Sequence, residues 1–245
     1  MIDIHSHVIY EIDDGSRSYE ESLSILKKMT AMGYKALVCT PHYITGSKYV
    51  ANNTNKFNKM QLLRDFVEKE NLNLHLYLGN EIYIDSEIES LIQKGEIYSI
   101  NHSRYLLIEF PVSRLMNDLM NLLFLLRNKG YVPIIAHPER YLYFQENHEL
   151  LDKFIEMGCL FQGNFSCIIG KYGEHTKKLF LYMLKNNYYH FLATDVHHET
   201  DILFLKFNKI KKMIIKEIDE KRFQQLTYTN PLKVIRNESL ESLNN

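Results

Sequence analysis

Cysteine is scarce in this 245-residue chain: Cys39, Cys159 and Cys167 are the full set, and no two form a CxxC pair. An odd, unclustered set argues against a disulfide scaffold, so reduced thiols in a cytoplasmic compartment are expected. Charge of one sign is lacking too. Basic residues number 29 and acidic ones 30, a net charge of -1, which implies no broad cationic face for nucleic acid. Long apolar runs are also missing. Leu119–Leu126 (LMNLLFLL) falls far short of the ~20 residues that span a bilayer. The opening MIDIHSHVIYEIDDGS has neither the basic nor the apolar region of a signal peptide. A soluble protein without a transmembrane segment is expected.

Several chemical signatures are absent as well. There is no G-x-x-x-x-G-K-[ST] loop, no G-x-G-x-x-G and no G-x-S-x-G elbow. No cysteine has an arginine six positions on, so a Cys-x5-Arg thiolate loop is missing. A nucleophile, if there is one, has to come from elsewhere.

What is present is ordinary globular material, 45% hydrophobic and 24% charged, which excludes disorder, collagen and coiled coil. Short apolar runs bounded by turn residues predict strands at Met1–His5, Ala36–Thr40, Leu74–Leu78, Tyr105–Glu109, Val132–Ala136, Cys159–Gln162 and His190–Thr194. Helical patterns lie between them. Tyr19–Met32 is the clearest, with Ser18 and Glu21 as a capping box and Gly33 after the last turn. Asp118–Lys129 is closed by Gly130, Leu179–Asn186 ends a third helix, and Lys206–Arg222 reads as a basic amphipathic helix with a solvated face. No linker, composition break or repeat divides the chain. Seven strand–helix units therefore predict α/β architecture with a parallel sheet, closed or nearly closed into a barrel. The pattern alone is also compatible with an open doubly wound sheet. One domain over residues 1–245 is expected, with the C-terminal helix and tail, about 206–245, packed on the barrel.

The residues that follow the strands carry the chemistry. They are His5-Ser6-His7 with Asp13-Asp14, Thr40-Pro41-His42, Gly79-Asn80-Glu81, Glu109, His137-Pro138-Glu139-Arg140, Gly163-Asn164 and Asp195-Val196-His197. In a parallel barrel all of these reach one C-terminal rim. On an extended segment residues i and i+2 share a side, so both imidazoles of His5-Ser6-His7 can face one point. Five of the eleven histidines fall at predicted strand ends, with carboxylates beside them and no matching set of basic countercharges. Metal ions are the natural compensation. Imidazole with carboxylate and no thiolate favours manganese, iron or zinc. The candidates exceed one ion's needs, and Glu81 and Asp195 can bridge, which points to two or three ions. Such clusters suit phosphate-ester hydrolysis, because they generate hydroxide at neutral pH and clamp the oxygens of an in-line displacement.

At these residues the chain resembles the PHP (polymerase and histidinol phosphatase) superfamily, and within it the CpsB/CapC-like manganese-dependent protein-tyrosine phosphatases of bacterial capsule and exopolysaccharide operons. The matching blocks are MIDIHSHVIYEIDDGS, TPHY, GNEIYI, LIEFP, AHPERY, QGNFSCIIGKYG, TDVH and NPLKVIRN, in order over nearly the whole chain. The resemblance implies a distorted (β/α)7 barrel of the PHP type, similar to a TIM barrel, holding three metal ions. It implies that His5 and His7 bind one ion with Glu81 bridging and Asp195 closing the site. Glu109 and His137 match ligands of a second ion, and Asp14, His42 and His197 those of a third. Arg140 matches an arginine that holds the phosphate.

Hydrolysis of phosphotyrosine on a partner autokinase, by attack of a metal-bridging hydroxide, is the activity so implied. Phenolate is a fair leaving group, with a pKa of about 10. Tyr43, Tyr83 and Tyr141 stand beside the metal motifs, at the entrance or in core packing. A PHP phosphatase of a small phosphomonoester such as histidinol phosphate, or a regulator that binds phosphotyrosine or the kinase without turnover, are the other readings. The chain departs from the family at one place. It reads Asp195-Val196-His197-His198 where D-A-H-N is usual, and no arginine occurs between His198 and Arg222. Only Lys206 or His198 offers a substitute for the family's second arginine. The oligomeric state is left open.

Overall fold

The computed structural model describes residues 1–50 and 52–240; residues 241–245 of the expected tail lie outside the described residues. Among the described residues nine strands run β1 Ile2–Ser6, β2 Ala36–Cys39, β3 His42–Tyr43, β4 His75–Leu78, β5 Glu81–Tyr83, β6 Tyr105–Glu109, β7 Val132–Ala136, β8 Leu160–Asn164 and β9 Phe191–Ala193. All pairings are parallel, in the orders β1-β2-β4 and β3-β5-β6-β7-β8-β9. The split into two sheets is local. β3 continues β2 past Thr40-Pro41, and β5 continues β4 past Gly79-Asn80, so nine pieces occupy seven strand positions. Proline has no N–H to donate, which interrupts the ladder at Pro41. The two short continuations, unseen in the sequence, carry His42 and Glu81. A bridge between Ser6 and Val196 joins β1 to the end of β9, with His7 N–H donating to Val196 O (2.9 Å) and Asp195 N–H to His5 O (3.0 Å). The result is the distorted seven-stranded α/β barrel expected.

Alternation along the strands sorts the core. Ile2, Ile4, Ala36, Val38, Tyr105, Leu107, Ile134, Ala136, Phe191 and Ala193 form the inner cluster, while Leu37, Leu106, Ile108, Ile135 and Leu192 pack outward against helices. Val234 and Ile235, from the helix Asn230–Ile235, join the inner cluster, and Asn230 Nδ2 donates to His190 O. β1 breaks the alternation. Its register against β2 shifts between Asp3 and Ser6, so His5 and His7 turn to the centre although Ile2 and Ile4 also point there.

The first helix spans Tyr19–Ala31, and Ser18 Oγ accepts from Glu21 N–H as a capping box requires. The reciprocal half differs: Glu21 Oε2 accepts from Arg17 N–H. Asp118–Lys129 is helical over Leu119–Asn128, and the third helix covers Glu174–Lys185. The expected Lys206–Arg222 helix is two. Ile202–Ile218 is capped by Asp201, and Asp219, at φ 74°, breaks it before Glu220–Gln224. A left-handed backbone cannot continue an α-helix. Leu203, Phe207, Ile210 and Ile214 face inward along it. Among the described residues no helix is long and apolar enough to cross a membrane.

Candidate metal centre

Every strand end contributes to one rim, and the nine expected ligands meet there. His5 Nε2 and His7 Nε2 stand 3.2 Å apart, as i, i+2 geometry allows. Both face Glu81 Oε2, at 3.2 Å each, and Asp195 Oδ1, at 3.3 and 3.5 Å. On one flank His137 Nε2 lies 3.0 Å from Glu81 Oε1 and 3.6 Å from Glu109 Oε1. On the other, Asp14 Oδ1 lies 3.4 Å from His42 Nε2 and 3.7 Å from His197 Nε2. Among the described residues three sets have donor atoms close enough to share an ion: His5, His7 and Glu81; His42, Glu81 and Glu109; and His7, Asp14, His42 and His197. Glu81, His7 and His42 each belong to two of these sets, and Glu81 is the carboxylate among them.

The donor chemistry fits divalent cations. Glu81 Oε2 and His42 Nδ1 are 3.0 Å apart, yet they do not align as a hydrogen bond and neither has another hydrogen-bond partner. These two buried polar atoms meet without satisfying one another, an arrangement that costs free energy unless a cation is shared. The titration behaviour has the same origin. Burial, then the charge of Glu81, pushes the Glu109 carboxyl up to about 8. Burial works against protonation of His5, but Glu81 and Asp195 override it and raise that imidazole to about 9. His137 drops to about 4, through burial and then Arg140. Divalent cations would let the imidazoles stay neutral and the carboxylates ionised.

Residues outside the expected set aim these ligands. His5 Nδ1 bonds Gln162 Oε1 (2.7 Å), so a proton held on Nδ1 leaves the Nε2 lone pair facing the centre. Gln162 Nε2 donates to Asn164 Oδ1, and Asn164 Nδ2 donates to Asp195 Oδ2. His7 Nδ1 bonds Asp13 Oδ2 at 2.7 Å. Sequence reasoning placed Asp13 and Asn164 at strand ends without giving them a role, because one residue in a polar loop reads like the next. Two of the expected ligands sit on left-handed backbone, His137 at φ 34° and Asp195 at φ 51°. Such conformations in non-glycine residues cost about 1 kcal/mol or more, and they gather at functional sites.

Arg140 lies beside the cluster, with Nη1 3.7 Å from Asp195 Oδ2. It is not paired with Glu139. That buried carboxylate turns away, accepting from Asn164 N–H, Cys167 Sγ and Tyr189 Oη. The tyrosines near the metal motifs divide. Tyr141 is buried, its Oη accepting from Phe110 N–H; Tyr43 is buried and donates to Glu96; Tyr83 is half-buried. Tyr49, whose ring centroid lies 5.9 Å from that of His42 at a tilt of 30°, and Tyr172, against Arg140, are two aromatics beside the cluster. Neither suggested stand-in for a second arginine faces the cluster: His198 Nδ1 is 3.5 Å from Glu21, and Lys206 is exposed on its helix.

Residues 1–236 match the family profile described as "Capsular polysaccharide synthesis, CpsB/CapC". The chain belongs to the CpsB/CapC family. CapC of Staphylococcus aureus is 38% identical over 206 residues, covering 84% of this chain and 80% of CapC. The tyrosine-protein phosphatase CpsB of Streptococcus pneumoniae is 31% identical, over 97% of this chain and 99% of its own length. A crystal structure from the pair YwqE of Bacillus subtilis and CpsB of Streptococcus pneumoniae, described as unique metal-dependent tyrosine phosphatases, superposes with a TM-score of 0.88. It is 30% identical and covers 98% of this chain and 96% of that one. A histidinol phosphate phosphatase from Lactococcus lactis shares the fold at 16% identity and a TM-score of 0.56. CpsB/CapC membership agrees with the blocks from DIHSH to NPLKVIRN, all of which except the final Asn237 lie within the matched residues.

Proposed function

We propose that this CpsB/CapC chain is a metal-dependent protein-tyrosine phosphatase of bacterial polysaccharide synthesis, acting on phosphotyrosine of a partner autokinase in the cytoplasm. The observation that carries the reading is the single rim where five imidazoles and four carboxylates converge beside one guanidinium. The whole chain works as one domain in this reading. Two or three Mn²⁺ ions are the expected complement, with iron or zinc as alternatives, and His5, His7, Asp14, His42, Glu81, Glu109, His137, Asp195 and His197 would hold them. When bound, such ions acidify water and neutralise phosphoryl oxygens.

The rest falls to the protein. Gln162 and Asp13 fix the tautomers of His5 and His7, keeping their lone pairs on the centre. Arg140, ionised throughout the working pH range, offers a planar fork to two phosphoryl oxygens. The leaving tyrosinate, with a phenol pKa of about 10, needs less protonation than an alkoxide. Phosphate release from a phosphotyrosine peptide by chelator-stripped protein, with and without Mn²⁺, is the test. Turnover that requires the metal and falls about 10²–10³-fold in Arg140→Ala is the expected result. Metal-loaded protein that releases no phosphate from the peptide, but does so from histidinol phosphate, would overturn the tyrosine-phosphatase reading.

A further inference from the structure

Arg140 is held more loosely than its task requires. Its backbone is set by the turn that follows His137, but its guanidinium lies 3.7 Å from Asp195 and donates no hydrogen bond among the described residues. An arginine side chain has about 2 kcal/mol of rotamer entropy to lose, so something else has to orient the fork. The candidate is an aromatic ring. Tyr172 places its ring centroid 5.0 Å from Arg140 Cζ, within cation–π range.

The ring itself is firmly placed. Lys171 and Tyr172 form the tip of a tight turn in which Gly173 N–H donates to Gly170 O (3.1 Å). Gly170 and Gly173, at φ 77° and 95°, bracket it with backbone that side-chain-bearing residues rarely adopt. Gly170 N–H also donates to Cys167 O, and Lys171 N–H to Ser166 O, tying the turn to the 3-10 helix Phe165–Ile169 that follows β8. From the tip, Lys171 Nζ reaches Asp201 Oδ2 at 2.7 Å. Asp201 in turn caps the helix Ile202–Ile218 through Leu203 N–H. Lys171 Nζ also stands 5.2 Å from the Tyr172 ring, so the ring has two cations against it.

We propose that Tyr172 is the positioning residue of Arg140, and that the Gly170–Gly173 turn, pinned by the Lys171–Asp201 ion pair, is the element that aims the guanidinium at the phosphoryl group. The proposal rests on the phosphatase reading for the role of Arg140, but not for its placement. The ring face does the positioning; the Tyr172 hydroxyl makes no hydrogen bond among the described residues and is dispensable.

The test compares Tyr172→Phe with Tyr172→Leu, each alone and in an Arg140→Ala background. With the phosphotyrosine peptide and Mn²⁺, Tyr172→Leu lowers kcat/KM about tenfold, while Tyr172→Phe stays within about twofold of the parent. In the Arg140→Ala background Tyr172→Leu has no further effect, because the side chain it acts through is gone. Lys171→Met, which keeps the ring but unpins the turn, gives a smaller loss of about threefold and serves if the leucine variant fails to fold. The Arg140 Nε–Hε cross-peak in ¹H–¹⁵N spectra supplies a readout independent of turnover: it keeps its shift in Tyr172→Phe and moves in Tyr172→Leu. An equal loss with and without Arg140, or an unmoved cross-peak, overturns the proposal. A parent protein with no turnover but a cross-peak that responds to Tyr172 overturns the phosphatase reading alone.

Discussion

Asp13 does at least as much for the candidate metal centre as its neighbour Asp14. Its Oδ2 meets His7 Nδ1 and accepts from His42 N–H, and its Oδ1 accepts from Gly15 N–H. One carboxylate thus orients the ring of one candidate ligand, His7, and fixes the backbone of a second, His42. Charge from His7 helps hold Asp13 ionised against its burial, far below the usual carboxylate range. Asp13→Asn should therefore weaken metal binding by about 10–100-fold, read by competition with a fluorescent chelator. Affinity equal to that of the parent would show that His7 needs no such partner. The sequence offered Asp13-Asp14 as a pair, and spacing cannot rank two adjacent carboxylates. Only the loop's path, with Gly15 packed so closely that a Cβ would stand 2.3 Å from His7 O, decides which one turns inward.

At the scale of the elements, strands and capped helices were legible because their signals are local. Short apolar runs bounded by turn residues marked β6 and β7 to the residue, and Ser18 marked the start of the first helix. The short continuations at His42–Tyr43 and Glu81–Tyr83 were not legible. Two- and three-residue strands have no periodicity to read, and they exist only because β6 and its neighbours offer partners. Asp219 ended the C-terminal helix without a glycine or proline to signal it. Gly163 shows an element tuned to its neighbour: a Cβ there would lie 2.6 Å from the Tyr189 ring, which also hydrogen-bonds Glu139. Gly163→Ala should cost about 1–3 kcal/mol in urea unfolding by forcing that ring aside. An unchanged midpoint and slope would mean that β8 can move instead.

For the whole molecule, acid stability has a contribution from outside the metal centre. His190 is buried where β8 and β9 meet, with Nδ1 accepting from Phe161 N–H. Burial, then the nearby Arg222, lowers its pKa to about 3. The unfolded chain takes up this proton near pH 6.5 and the folded one not until about pH 3. Unfolded protein therefore binds more protons across that window, and stability falls as pH drops through it. Metal-free protein should lose on the order of 3 kcal/mol from this group between pH 7 and 4. His190→Gln, which can still accept from Phe161, should flatten the slope of urea stability against pH in the presence of chelator. An identical slope in the variant would assign the loss to other groups.

The sequence by itself determined the seven strand positions, their parallel order and the presence of His and carboxylate at their ends, because hydrophobic period and chain direction are properties of short segments. It also named the ligand candidates, since a barrel sends every strand end to one rim. Tertiary structure decided the rest. The register shift in β1 turned His5 and His7 inward, and Gln162, Asn164 and Asp13 became the groups that hold the candidate ligands His5, Asp195 and His7. The turn at Lys171-Tyr172 came to face Arg140 from 32 residues further along the chain. These are contacts between distant segments, and their geometry is fixed only when the barrel closes.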